Sequence, residues 1–193
     1  MGIIIKIKQN LTSISSIVFF IGSVFPEPKS SAAGTRILQL VKFFKCHGYD
    51  VVFGSASKKS EHSFDLKSIG VQEVELKLND SSFDDFVKDL NPHCVVFDRF
   101  ITEEQFGWRL TNSCPDAIKI LDTEDLHFLR KARKSAACNT TNFSKEFLNN
   151  DIAKRELASI YRSDLSLIIS EIEFNILCNE LDIDASLLLY LPF

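Results

Sequence analysis

Short apolar runs alternate with amphipathic helical stretches along most of the chain, and this order constrains the fold more than any other feature. The first runs are residues 16–24 and 49–54, and between them apolar side chains recur at helical spacing, at positions 33, 37, 40, 41 and 44. Strands that alternate with helices are typical of a parallel sheet covered by helices on both faces. We therefore predict one α/β domain of three layers over residues 16–193, preceded by an N-terminal extension, residues 1–15.

The same reasoning places the other elements. Further strands are predicted at residues 71–78, 94–97, 117–121, 165–169 and 187–191. Helices are predicted within residues 60–69 and at 83–90, 126–135, 147–161 and 171–181, and a capping-box pattern over 102–105 places the start of another helix near Glu103. The Asn- and Thr-rich stretch 136–144 is predicted to be a loop.

Composition excludes several classes of partner. The net charge is −4, so no broad basic surface is expected and nucleic acid is not a predicted partner. The apolar run 17–21 is shorter than the roughly 20 residues that a membrane span needs, so no integral membrane segment is predicted. The 5 cysteines form no CxxC pair and are interpreted as reduced thiols of a cytoplasmic protein. No histidine pair has metal-ligand spacing, so no metal site is predicted.

The loop between the first strand and the first helix is one candidate binding segment. In a parallel α/β sheet, ligands bind beyond the carboxyl ends of the strands. Ser31, Gly34 and Arg36 lie at this helix start, where small residues let backbone amides approach a ligand and Arg36 adds a charge for a phosphate or carboxylate. The alternative is a tight turn in which Ser30 or Ser31 caps the helix and Arg36 lies on the surface.

Two further segments leave predicted strands at the same edge. Asp98 and Arg99 follow the strand 94–97, and Asp98 could accept a hydrogen bond from a sugar hydroxyl, hold Arg99 or cap a loop. Asp122, Glu124 and His127 follow the strand 117–121, where carboxylates could bind hydroxyl groups and His127 could move a proton. The alternative for this segment is helix capping, with Thr123 or Asp122 as the cap.

Several of these stretches together resemble the N-terminal half of a bacterial glycosyltransferase of the GT-B type, over about residues 18–193. The resemblance is carried by PEPKSSAAGTR, CVVFDRFITEEQFGWRL, IKILDTEDLHFLRKAR and LIISEIEFNIL. It implies two Rossmann-like domains that face each other across a cleft, the first binding the acceptor and the second binding a nucleotide-sugar donor without an essential metal or other cofactor. It also implies that the candidate residues line this cleft. Glu124 and His127 would be the catalytic pair, and the others would bind substrate: Ser31, Gly34, Arg36, Asp98, Arg99 and Asp122.

The resemblance stops where a donor-binding domain would follow. On this interpretation the chain is the acceptor-binding half of a truncated glycosyltransferase, and we expect it to be inactive alone because half of the preorganised electrostatics is missing. Its expected partners are a sugar or glycan acceptor and a donor-binding domain or chain. The alternative is a non-catalytic Rossmann-like subunit that docks onto a separate donor-binding chain through an apolar patch near residues 187–193. A weaker hypothesis is a binding module for an unrelated phosphorylated ligand.

Overall fold

The computed structural model describes residues 16–138 and 150–193. The strands are β1 Ile17–Gly22, β2 Asp50–Ser55, β3 Gln72–Glu75, β4 Cys94–Asp98, β5 Ile118–Asp122, β6 Leu165–Ile168 and β7 Leu188–Tyr190. The α-helices are α1 Ala32–Cys46, α2 Ser82–Leu90, α3 Arg99–Ser113, α4 His127–Cys138, α5 Asp151–Arg162 and α6 Glu171–Asn179. Short 3₁₀ turns stand at Leu66–Ile69 and Ala185–Leu187.

The strands form one sheet in the order β3-β2-β1-β4-β5-β6-β7, and every neighbouring pair is parallel. The chain moves outward from β1 to β3, then returns to the other side of β1 with β4. The carboxyl ends of β1 and β4 therefore flank a crevice, which is the usual binding site of such sheets. The register pairs Asp98, the last residue of β4, with Asp122, the last residue of β5.

The core lies on both faces of the sheet, which confirms the predicted three-layer α/β class. Side chains alternate along β1: Val18 and Phe20 belong to one buried cluster, and Phe19 and Ile21 belong to the other. All of them are fully buried. Because both faces of the central strand are covered, the strand is apolar throughout, as is typical of parallel sheets.

Three predicted boundaries are wrong. The strand predicted at 71–78 is β3, which ends at Glu75. Helix α3 begins at Arg99 and not near Glu103, because Thr102 does not act as a cap: its hydroxyl donates to the carbonyl oxygens of Asp98 and Arg99 inside the helix. Helix α4 continues to Cys138, so the predicted loop 136–144 starts too early. The rest of that loop, the predicted helical residues 147–149 and the predicted extension 1–15 lie outside the described residues.

Helix α6 starts where the sequence predicts, at Glu171, and the Ser170 hydroxyl caps it by accepting a hydrogen bond from the backbone amide of Glu173. Of the helices that the structure describes, none combines the length and the apolar character that crossing a lipid bilayer demands.

Candidate functional site

The three predicted segments meet at one edge of the sheet. Both the backbone amide and the hydroxyl of Ser23, which follows β1, donate to one carboxylate oxygen of Asp98, at 3.1 and 3.0 Å. Asp98 stands beside Asp122 in the register of β4 and β5. Arg99 in turn joins the end of β4 to Glu124, which follows β5. The structure therefore brings the polar residues after β1, β4 and β5 together at the crevice.

Arg36 and Asp122 form a buried ion pair at this edge. The Arg36 Nε donates to both carboxylate oxygens of Asp122, at 2.9 and 3.0 Å, and its Nη1 donates to the carbonyl oxygen of Leu191 at 3.0 Å. The side chains are 2% and 0% exposed. The capping alternative placed Arg36 on the surface, and this part of it is wrong because the side chain is buried.

Burial dominates the electrostatics of this ion pair. It raises the pKa of Asp122 to about 6, although the neighbouring Arg36 acts in the opposite direction. The guanidinium also lies 5.5 Å from the centre of the Phe193 ring. The pair ties α1 to β5 and to the segment that follows β7, so its immediate effect is to hold these elements together.

Arg99 links two carboxylates in the crevice. Its Nε lies 3.1 Å from an oxygen of Asp98 and 3.0 Å from the Oε2 of Glu124. Arg99 and Glu124 both adopt left-handed backbone conformations, with φ of 71° and 56°. Such conformations cost of order 1 kcal/mol or more for residues other than glycine and cluster at functional sites.

The carboxyl group of Glu124 is only partly satisfied by hydrogen bonds or ion pairs. Its side chain is buried, and Oε1 has no hydrogen-bond partner among the described residues. Burial raises the pKa of Glu124 to about 7, and the negative charge of Asp98 adds to this increase. A carboxyl group of this pKa exchanges a proton readily near neutral pH.

His127 is the first residue of α4 and lies beside the carboxylate cluster. Its ring meets the ring of Phe100 edge-on, with centroids 5.4 Å apart, and its Nε2 lies 3.7 Å from a carboxylate oxygen of Asp125. Burial lowers the pKa of His127, and the positive charge of Arg130 lowers it further. The imidazole is therefore neutral at pH 7 and able to accept a proton.

Ser31 and Gly34 have local structural roles in the β1–α1 loop. The Ser31 hydroxyl accepts a hydrogen bond from the Gly34 amide at 2.9 Å and so caps α1, as the capping alternative expected. The close backbone approach that Gly34 allows is to Glu27, because a Cβ at position 34 would lie 2.5 Å from the Glu27 carbonyl oxygen. A direct role for Ser31 and Gly34 in ligand binding stays a prediction.

Two buried acids that were not predicted from the sequence hold the β5–α4 loop. The carboxylate of Glu156, on α5, accepts the backbone amides of His127 and Phe128, at 3.0 and 2.7 Å. The Oε1 of Glu173, on α6, accepts the amide of Leu126 at 3.3 Å. A local signal existed, since Glu156 falls on the buried face of α5, in line with Ala153 and one turn from it.

The predicted caps of α4 are therefore wrong. The Thr123 hydroxyl donates to the carbonyl oxygen of Leu167, and Asp122 is bound by Arg36. The backbone amides of His127 and Phe128, in the first turn of α4, instead donate to the carboxylate of Glu156 on α5. Within residues 16–138 and 150–193, no three His, Cys, Asp or Glu side chains are grouped so that they could hold a metal ion.

Comparison with known proteins shows a likeness of fold. No protein-family model and no curated protein sequence matches the chain. Among solved structures, the apo form of the lipopolysaccharide outer core galactosyltransferase WaaB superposes with a TM-score of 0.56 at 13% identity, covering 90% of this chain. Sucrose-phosphate synthase from Thermosynechococcus elongatus superposes with a TM-score of 0.56 at 12% identity, covering 84% of this chain.

The chain spans 44% of the length of each of these two proteins. It therefore has a fold like that of somewhat less than half of a glycosyltransferase, in agreement with the resemblance seen in the sequence. At this level of identity the likeness concerns the fold and leaves the activity open.

Proposed function

We propose that this chain is the acceptor-binding domain of a GT-B glycosyltransferase, which transfers a sugar from a nucleotide-sugar donor to a hydroxyl group of the acceptor. The observation that carries the proposal is the carboxyl group of Glu124, which is buried in the crevice and whose Oε1 finds no hydrogen-bond partner in the part of the chain that the structure describes. Arg99 bridges this carboxyl group to Asp98, and His127 begins the helix that follows, on a glycosyltransferase-like fold. The nucleotide sugar is a co-substrate in this proposal, and no bound cofactor or metal is required.

Glu124 and His127 are the groups that fit the chemistry of sugar transfer. The acceptor oxygen forms a bond to the anomeric carbon, the bond from that carbon to the nucleotide diphosphate breaks, and the hydroxyl proton passes to a base. A base works best when its pKa lies near the working pH, and burial raises the pKa of Glu124 to about 7. We assign the proton transfer to Glu124 and the orientation of the acceptor to His127.

The other predicted residues then divide into three groups. Asp98 and Arg99 are part of the polar cluster around Glu124 and are assigned to the hydroxyl groups of the acceptor. Arg36 and Asp122 bind each other in the interior, so we assign them to holding the floor of the crevice. Ser31 and Gly34 shape the neighbouring loop. A donor-binding domain or chain on the opposite side of the crevice completes the proposed cytoplasmic enzyme.

A titration of the ¹⁵N-labelled chain tests the acceptor site without the donor. The probes are glucose, galactose and the disaccharide maltose, at millimolar concentrations and followed by backbone amide shifts. We expect saturable shifts that are centred on residues 98–99 and 122–127. Glu124→Gln should abolish them, whereas Glu171→Gln, which changes an exposed acid of α6, should retain them.

Two results would count against the acceptor site. The first is an absence of saturable shifts with all of these sugars. The second is a response of the amides of residues 30–36 to inorganic phosphate while no sugar acts, which would favour the module for a phosphorylated ligand.

A non-catalytic docking subunit is the second candidate. It is favoured by the exposed apolar side chains at the end of the sheet, Leu189, Tyr190 and Phe193. This function requires a donor-binding protein that purifies with the chain at fixed stoichiometry. A monomer that stays soluble and unaccompanied in light scattering would speak against it.

A further inference from the structure

The start of α4, at the end of the β5–α4 loop, is held by a carboxylate that has no role in the proposed function. The first amides of a helix have no partner within the helix and need acceptors from elsewhere. Nearby side chains are committed to other groups, since the Thr123 hydroxyl donates to Leu167 and Asp122 is bound by Arg36. The first turn of α4 therefore depends on a distant acceptor.

Glu156 supplies this acceptor with both of its oxygens. Oε1 accepts the amide of His127 at 3.0 Å and Oε2 accepts the amide of Phe128 at 2.7 Å. Hydrogen bonds to a carboxylate are short and strong, and two of them on adjacent amides fix the direction of the helix start as well as its position. Glu173 holds the preceding amide, that of Leu126, at 3.3 Å.

Arg155, the residue before Glu156 on α5, restrains the side chain of His127 through the ring of Phe100. The Arg155 guanidinium lies over the Phe100 ring, 5.1 Å from its centre, and Phe100 is the ring that meets the imidazole edge-on. Glu104 accepts a hydrogen bond from the Nε of Arg155 at 2.9 Å and so fixes this contact. Consecutive residues of α5 thus hold the backbone of His127 and the aromatic wall against its ring.

We infer that Glu156 is a positioning residue for the proposed site: its carboxylate sets the orientation of His127 and the path of the β5–α4 loop, which carries Glu124. The inference rests on the proposed function for the role of this site, whereas the contacts of Glu156 are observed whatever that role is. Glu156 is 3% exposed and acts through the backbone of α4.

The inference is tested by substitution of Glu156 in the full chain, read out by NMR at His127. Glu156→Gln keeps the shape but places an amide N–H₂ group against one of the two backbone amides. Glu156→Ala removes both acceptors. Glu171→Gln is the matched control, and His127→Gln assigns the imidazole signal among the 4 histidines of the chain.

We expect both Glu156 variants to shift the imidazole signal of His127, because the ring moves relative to Phe100. The pKa of His127 should rise toward its ordinary value as the ring becomes more exposed. Hydrogen exchange at the amides of residues 127 and 128 should accelerate at least tenfold in the alanine variant and less in the glutamine variant. The control should match the wild type in all of these measurements.

An unchanged imidazole signal and an unchanged His127 titration in folded Glu156→Ala would overturn the inference and leave Glu156 as a simple helix cap. If the alanine variant does not fold, the same unchanged result in Glu156→Gln is decisive. None of these readouts needs a sugar. A displaced His127 with no sugar binding would therefore refute the proposed function alone, and sugar binding with an unmoved His127 would refute this inference alone.

Discussion

Removing Asp122 should destabilise the protein strongly, because it leaves the charge of Arg36 buried without a partner. Arg36 is 2% exposed, and its Nη1 donates to the carbonyl oxygen of Leu191. Breaking a buried ion pair from one side costs about 3–5 kcal/mol. We expect Asp122→Ala to lower the free energy of unfolding by this amount. Asp122→Asn, which keeps a carbonyl acceptor for the Arg36 Nε, should lose about half as much.

Urea denaturation, followed by far-UV circular dichroism, measures these changes. With a slope of about 2.5 kcal/mol per molar urea, a loss of 4 kcal/mol moves the midpoint by about 1.6 M. Lys154→Ala is the matched control. It removes an exposed ion pair with Asp151, where the side chains are 70% and 95% exposed, and should change the stability by less than about 0.5 kcal/mol.

The double variant Arg36→Met, Asp122→Leu separates the charge effect from the loss of packing. Apolar side chains of similar volume often replace a buried ion pair at little cost, so the double variant should be more stable than Asp122→Ala. A loss below about 1 kcal/mol in Asp122→Ala would refute the reasoning, as would a double variant that is less stable than the alanine variant.

Two other predictions concern the same edge of the sheet. Gly34→Ala should lower the free energy of unfolding by about 2 kcal/mol, because its Cβ would lie 2.5 Å from the backbone of Glu27. Urea denaturation measures this change, and an unchanged stability would show that the close contact with Glu27 does not limit position 34. Burial raises the pKa of both Glu124 and Glu156 from 4.5 to about 7, so the folded state binds protons that the unfolded state releases between these values. The free energy of unfolding should therefore fall as the pH rises from about 5 to 8. Asp122 and Glu173, whose pKa is also raised by burial, act in the same direction, and His127, whose pKa is lowered, acts in the opposite one. We expect a net fall of about 2 kcal/mol or more after allowance for solvent screening, and stability that rises over this interval would contradict the prediction.

Local patterns in the sequence were sufficient to predict the layers of the fold and the edge at which the polar segments meet. An apolar run such as β1 is compatible with burial on both faces, and a parallel sheet brings all strand ends of one kind to the same side. Asp98 and Asp122 could therefore be placed at one edge without knowing any contact between them. The start of α3 could not be predicted in the same way, because a left-handed Arg99 after the strand leaves no mark in the pattern.

The partners of the polar side chains were decided only by the tertiary structure. Arg36 contacts Asp122 across 86 residues, and Glu156 contacts the amide of His127 across 29. The neighbouring sequence can indicate that such a side chain is buried, as for Glu156 on α5, but it does not indicate the partner. Helical and strand periodicity depends on residues a few positions apart, whereas an ion pair or a distant helix cap depends on how whole elements cross. The sequence thus determined which polar groups reach the crevice. The packing of α1, α5 and α6 against the sheet decided which of these groups find a partner, and it leaves Oε1 of Glu124 without one among the described residues.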